Sequence, residues 1–227
     1  MNDTCIWKSV IAFASLIAAL GSAALPDKAF AAPAGREIVI VAFGDSLTAG
    51  YLLPPEAAFP VQLERALRAK GHNVRVVNAG VSGDTATEGL ARFDWAMPDK
   101  ADAAILELGA NDAMRGTPVA ETTKALGQIL ARLKERNADV LIAGMEAPRN
   151  WGEEYVTQFR AMYAGLAKQY DVPLYPFFLD GVAMDPSLSL SDGLHPNQQG
   201  VARIVERILP AAEALIAKVK ARRGEPS

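Results

Sequence analysis

The chain has 227 residues, 50% of them hydrophobic and 22% charged, with a formal net charge of −3, which suits one α/β-sized domain with a sizeable core. A mildly acidic chain without a basic cluster is a poor partner for nucleic acid, and two histidines with one cysteine exclude a multi-histidine or thiolate metal centre. No cofactor is called for by the residues that remain.

The first 31 residues read as a secretory signal. Lys8 precedes an uncharged run from Ser9 to Pro26, and Ala29-Phe30-Ala31 is a small-x-small cleavage site. The run is short for a bilayer span, so no stable membrane span is expected once the signal is removed. Cleavage after Ala31 would remove Cys5, leaving an exported chain, periplasmic or secreted, without disulfide or thiol nucleophile. Residues 32–227 then form a single domain.

Within that domain, apolar strand-like runs alternate with helical patterns. Strands are predicted at Glu37–Phe43, Val74–Asn78, Ala103–Leu108, Val140–Met145 and Pro173–Phe177, several of them continuously apolar as strands covered on both faces are. Helices are predicted at Ala57–Lys70, ending at Gly71, and at Thr85–Met97, Pro118–Arg136, Glu153–Tyr170 and Pro196–Ala221, the last opening on its proline. The basic stretch Lys218 to Arg223 suits the negative end of that final helix. Right-handed crossovers convert this alternation into an open parallel sheet, whose ligands bind at the carboxyl ends of the strands.

Four clusters fall at such ends. Val39 to Gly50 runs an apolar strand into the small-residue turn Gly44-Asp45-Ser46-Leu47, which presents one serine on rigid backbone. Taken alone, the turn reads equally well as a cap formed by Asp45 and Ser46. Ser82-Gly83-Asp84-Thr85 follows the second strand, and Gly83 can bring a backbone N–H close to a ligand. Gly109-Ala110-Asn111-Asp112 follows the third, and Asn111 offers an amide NH₂ to a developing oxyanion. Ser191 to Asn197 carries His195 with Asp192 three residues before it, a spacing that lets the carboxylate orient the imidazole. His72, after Gly71, is expected in an exposed turn.

These four blocks, in this order, resemble those of the SGNH, or GDSL, hydrolases. The likeness extends from residue 38 to about 210 and is strongest to the periplasmic acyl-CoA thioesterase, lysophospholipase and arylesterase group. It implies a flavodoxin-like α/β/α sandwich with a five-stranded parallel sheet, and a serine esterase acting on small-molecule esters or thioesters through an acyl-enzyme. In that reading Ser46 is the nucleophile, His195 the base and then the acid, and Asp192 its orienting partner. The Ser46 and Gly83 N–H groups and the Asn111 side chain would form the oxyanion hole. Met114, Ala147, Pro148 and Trp151 would border an apolar acyl pocket. Two other readings stay open on the residues alone: a carbohydrate O-acetylesterase with the same machinery, and a non-catalytic ligand-binding domain on the same sheet.

Overall fold

The structure is a computed structural model that describes residues 35–226; the expected signal, residues 1–31, lies outside the described residues. Five strands form one parallel sheet: β1 (Ile38–Gly44), β2 (Val74–Gly80), β3 (Ala103–Glu107), β4 (Asp139–Ala143) and β5 (Leu174–Tyr175), ordered β2-β1-β3-β4-β5. Among the described residues seven α-helices accompany them: α1 (Ser46–Ala49), α2 (Phe59–Ala69), α3 (Ala86–Ala96), α4 (Ala110–Arg115), α5 (Val119–Glu135), α6 (Glu153–Tyr170) and α7 (Gln198–Arg223). Helices α2 and α7 pack together, while α5 packs on α3 and α6, so the sheet is sandwiched between two helical layers.

Sequence patterning explains which strands lie innermost. Every residue of β3 is buried, as is all of β1 except Val39, whereas Arg75 and Asn78 of the edge strand β2 reach solvent. Large aromatic side chains fill the spaces between layers. Phe59 meets Phe178 edge-on with ring centroids 4.9 Å apart, and Phe43 meets Phe93 at 5.8 Å.

The expected elements are present, α6 with its expected bounds and the others with shifted ends, and two short helices, α1 and α4, are additional. They have four and six residues and follow strands, too short to leave a periodic apolar pattern. The final helix starts at Gln198 rather than Pro196, because the Asn197 side chain accepts from the Gln199 and Gly200 N–H groups at 2.9 and 3.0 Å. Pro196 instead forms an antiparallel bridge with Ser189. His72 is not in an exposed turn either. Its side chain is 20% exposed, and its Nε2 lies 3.3 Å from Glu213 Oε1 on α7.

The order β2-β1-β3 puts a topological switch point at β1. Chain connections leave its carboxyl end in one direction and that of β3 in the other, opening a crevice between their turns.

Candidate active site

Ser46 is the first residue of α1, directly beyond β1. Asp45 caps this single turn: its Oδ1 accepts from the Leu47 N–H at 3.0 Å, and the Gly50 N–H returns to the Ser46 carbonyl at 3.1 Å. Ser46 is therefore held by strand and cap together, and it is 8% exposed.

His195 approaches from a loop that closes on itself before α7. The Leu190 N–H donates to the His195 carbonyl at 2.7 Å, the Asn197 N–H to the Leu188 carbonyl at 2.9 Å, and the Gly193 N–H to the Leu190 carbonyl at 3.0 Å. Asn197 binds the same loop from below through the Ser187 and Ser189 carbonyls. The tip of this loop presents Asp192 and His195. Ser46 Oγ and His195 Nε2 are 2.9 Å apart, and His195 Nδ1 and Asp192 Oδ2 are 2.7 Å apart. Asp192 Oδ1 accepts from the His195 and Leu194 N–H groups at 3.0 and 2.9 Å. These two backbone donors, with the imidazole, hold its carboxyl down to about 2, so it is an anion throughout the neutral and mildly acidic range. The Tyr51 ring lies against the imidazole, centroids 4.5 Å apart.

Asn111 lies in the first turn of α4 and its Nδ2 donates to the Asp84 carbonyl at 2.9 Å and to Asp45 Oδ2 at 3.3 Å. It thus ties the turn after β3 to the turns after β1 and β2. Gly83 adopts φ +91°, a conformation that favours glycine, and its carbonyl accepts from Arg115 Nη2 at 2.9 Å. Among the described residues, neither the Ser46 nor the Gly83 N–H donates to a backbone or side-chain acceptor. Ser46, Gly83, Asn111, Asp192 and His195 accordingly belong to one cluster of strand-end loops, able to move a proton from a serine hydroxyl to an imidazole beside donors for a negative oxygen.

The four expected pocket residues divide. Met114 and Trp151 are exposed and Pro148 partly so, whereas Ala147 is 7% exposed and packs with the core. Trp151 heads an aromatic ladder along α6, through Tyr155 and Phe159 to Tyr163, and its ring closes against Gly116. The Tyr155 hydroxyl donates to the Thr117 carbonyl at 2.8 Å, so Trp151 and the Met114 turn are fastened to each other.

Beneath the cluster lie further polar side chains, of which sequence reasoning missed Arg92, Asp112 and Glu107. Arg92, 6% exposed, pairs with the Asp84 carboxylate, donates to the Gly44 carbonyl at 2.8 Å and covers the Phe43 ring at 4.3 Å. Asp112 accepts from the Ala86 N–H at 2.8 Å and the Thr122 hydroxyl at 3.0 Å, linking α3, α4 and α5. Asp45 is fully buried, which pushes its carboxyl up to about 6. Glu107 at the end of β3 is 1% exposed, and burial raises its carboxyl well above the usual range. One signal was available: Glu107 is the only charged residue in the apolar run Ala103–Leu108, and a charge at the end of a strand buried on both faces requires a partner or a proton.

A parallel α/β sheet with this cluster in its crevice defines a class, the acyl-ester hydrolases built on a flavodoxin-like sheet. The particular family follows from sequence: a family model described as GDSL-like lipase/acylhydrolase matches residues 42–203, and the chain belongs to that family. It is 38% identical to "Thioesterase 1/protease 1/lysophospholipase L1" of Escherichia coli (strain K12) over 82% of this chain and 88% of that protein. It is also 38% identical to an "Arylesterase" of Vibrio mimicus, over 74% of this chain and 84% of the relative. Among solved structures, the SGNH-hydrolase family esterase AlinE4 superposes with a TM-score of 0.67 at 45% identity, covering 79% of this chain and 97% of that one.

Proposed function

We propose that the protein is an exported serine esterase that hydrolyses carboxylic esters and thioesters, among them aryl esters, acyl-CoA and lysophospholipids. The observation that carries this reading is the continuous hydrogen-bonded chain from Ser46 Oγ to His195 Nε2 and from His195 Nδ1 to Asp192, at 2.9 and 2.7 Å. The names of the relatives support the substrate classes. Export rests on the signal-like residues 1–31, removed after Ala31 to leave the single domain 32–227.

In this mechanism His195 takes the Ser46 proton as the oxygen attacks the acyl carbon. The carbonyl electrons move onto oxygen, where the Ser46 and Gly83 N–H groups donate to it, joined by the Asn111 amide as it turns one N–H away from its 3.3 Å contact with Asp45 Oδ2. Collapse expels the alcohol or thiol, which receives the proton from the imidazolium, and Ser46 is left acylated. Water, deprotonated by His195, attacks the acyl carbon, and the released Ser46 alkoxide regains its proton. Asp192 selects the tautomer with a proton on Nδ1 and stabilises the imidazolium formed in each half-reaction. The apolar side chains of Met114, Pro148 and Trp151, with exposed Tyr51, Leu52 and Leu194, suit an acyl or aryl group at this mouth. Ala147 contributes to that wall from within the core.

The test is a panel of phenyl acetate, p-nitrophenyl esters, long-chain acyl-CoA, lysophospholipid and acetyl-xylan with wild type and Ser46→Ala. The variant should lose at least about 10³-fold in kcat/KM with an unchanged circular dichroism spectrum. Fluorophosphonate should label Ser46 in the wild type alone. Wild-type turnover by Ser46→Ala would overturn the nucleophile, and acetyl-xylan as the best substrate would overturn the substrate class.

A further inference from the structure

Glu107 has no part in the proton path, yet it touches both flanks of the proposed nucleophile. Its Oε2 accepts from the Thr48 hydroxyl at 2.8 Å and from the Asp45 N–H at 3.4 Å, two residues after and one before Ser46. Its other oxygen, Oε1, is buried with no hydrogen-bond partner among the described residues, and no cationic side chain pairs with it there. Room for this contact is made by Gly44. A Cβ at that position would fall 2.6 Å from Glu107 Oε2 and 2.1 Å from Thr48 Oγ1, so β1 can approach the acid only as glycine.

We propose that Glu107 is a positioning residue for the Ser46 turn, working as a neutral carboxylic acid that holds Asp45 and Thr48 against the end of β3. The physical argument turns on the bare oxygen. Leaving a protonated hydroxyl unpartnered costs about 1–3 kcal/mol. An unpaired buried carboxylate costs several kcal/mol more, so the proton stays. The ionisable groups that face Glu107 reinforce this. The Asp45 carboxyl from the β1 turn would repel a second negative charge, and the Tyr163 phenol from α6, which donates to the Leu108 carbonyl at 2.9 Å, offers no cation. Burial and the neighbouring Asp45 raise the Glu107 carboxyl in agreement with that geometry.

The neutral form also fits the chemistry. Glu107 ends β3, four residues before Asn111, while its contacts hold the turn that carries the Ser46 N–H; it therefore sets the spacing between two proposed oxyanion donors. An ionised acid in the same place would make those bonds but add a negative charge beside a developing one. This inference rests on the Ser46 reading. Its effect should appear in kcat, where the oxyanion is stabilised, and not in KM.

The experiment compares wild type, Glu107→Gln, Glu107→Leu and Thr48→Val by steady-state kinetics, by the rate of fluorophosphonate labelling and by infrared spectroscopy. At pH 8, where Asp45 with its carboxyl at about 6 is ionised, the wild type should show the C=O stretch of a protonated carboxyl that Glu107→Gln lacks. Glu107→Gln, a neutral isostere that retains the acceptor, should keep kcat within about threefold and keep the wild-type pH profile. Glu107→Leu should lose about 10–100-fold in kcat and in labelling rate with KM within about twofold. Thr48→Val should lose about 3–10-fold, the scale of one hydrogen bond. The inference is overturned if Glu107→Leu only lowers the melting temperature, if Glu107→Gln is as impaired as Glu107→Leu, or if the infrared band is absent. Should Glu107→Leu fail to fold, the band, Glu107→Gln and Thr48→Val still decide. A wild type that fluorophosphonate does not label would reject Ser46 itself, an outcome distinct from labelled variants reacting at the wild-type rate.

Discussion

Acidic side chains gather at both ends of the sheet, and the two ends neutralise them differently. At the amino end, Asp102 pairs with Arg223 and Arg36, and Asp139 pairs with Arg222 and lies 3.9 Å from Lys218, so the basic end of α7 is latched to β3 and β4 by ordinary ion pairs. At the carboxyl end, Asp45, Asp112 and Glu107 are essentially buried and meet backbone N–H groups, hydroxyls and an amide rather than cations. Asp84, paired with Arg92, is the exception there. An ion pair meets an anion with a full opposite charge. A carboxyl held by neutral donors is oriented without a cation, and Glu107, which burial raises well above the usual range, can orient a turn without imposing a full charge on the reaction beside it. The amino end is built to hold the chain together, and the carboxyl end to hold a geometry.

Four substitutions would break or sharpen that contrast. The largest effect is expected where the carboxyl end behaves like the other one: Arg92→Met strands the Asp84 carboxylate and should cost about 3–5 kcal/mol by urea denaturation. A loss below about 1 kcal/mol would mean that the pair is not structural. Asn111→Ala removes a neutral donor and should lower kcat by about 10²–10³, and should also cost about 1–3 kcal/mol of stability because the buried Asp45 carboxyl and the Asp84 carbonyl lose its N–H groups. A rise in KM alone would move Asn111 to substrate binding.

Asp45→Asn tests the cost of a buried acid without a cation. The folded protein holds the Asp45 proton up to about pH 6, above the ordinary 3.8 of the unfolded chain, so native molecules bind more protons in that window. Wild-type stability should therefore fall by about 2–3 kcal/mol relative to the variant as pH rises from 3.8 to about 6, then level off. Parallel stability curves for the two proteins would refute the raised carboxyl. The smallest effect belongs to the amino end. Arg222→Met breaks a partly exposed pair and should cost under about 1 kcal/mol while leaving kcat unchanged.

Much of the fold was legible because it rests on patterns that need no neighbours. Continuous apolar runs announced β1 and β3, and α6 occupies the expected Glu153–Tyr170. The start of α7 was not legible, since it depends on an Asn197 cap held by the folded His195 loop and not on the proline that ordinarily opens a helix. His72 was misread for the same reason: Gly71 signals a turn, but only the packing of α7 brings Glu213 to it.

The proposed site was legible as residue types at strand ends. Scarcity narrowed it further, because His195 was the one histidine with an aspartate at a suitable spacing. What the sequence by itself determined was therefore the class of sheet, the family blocks and the side chains able to carry acyl-transfer chemistry, all set by local periodicity, turn chemistry and composition. Only the tertiary structure decided which acids are buried, that Arg92 binds Asp84, that Asn111 spans Asp45 and the Asp84 carbonyl, and that Glu107 lies under the Ser46 turn. Those outcomes depend on desolvation and on contacts between residues 27 to 66 positions apart, apart from the local Arg92–Asp84 pair, and such quantities exist only once strands from distant parts of the chain lie side by side.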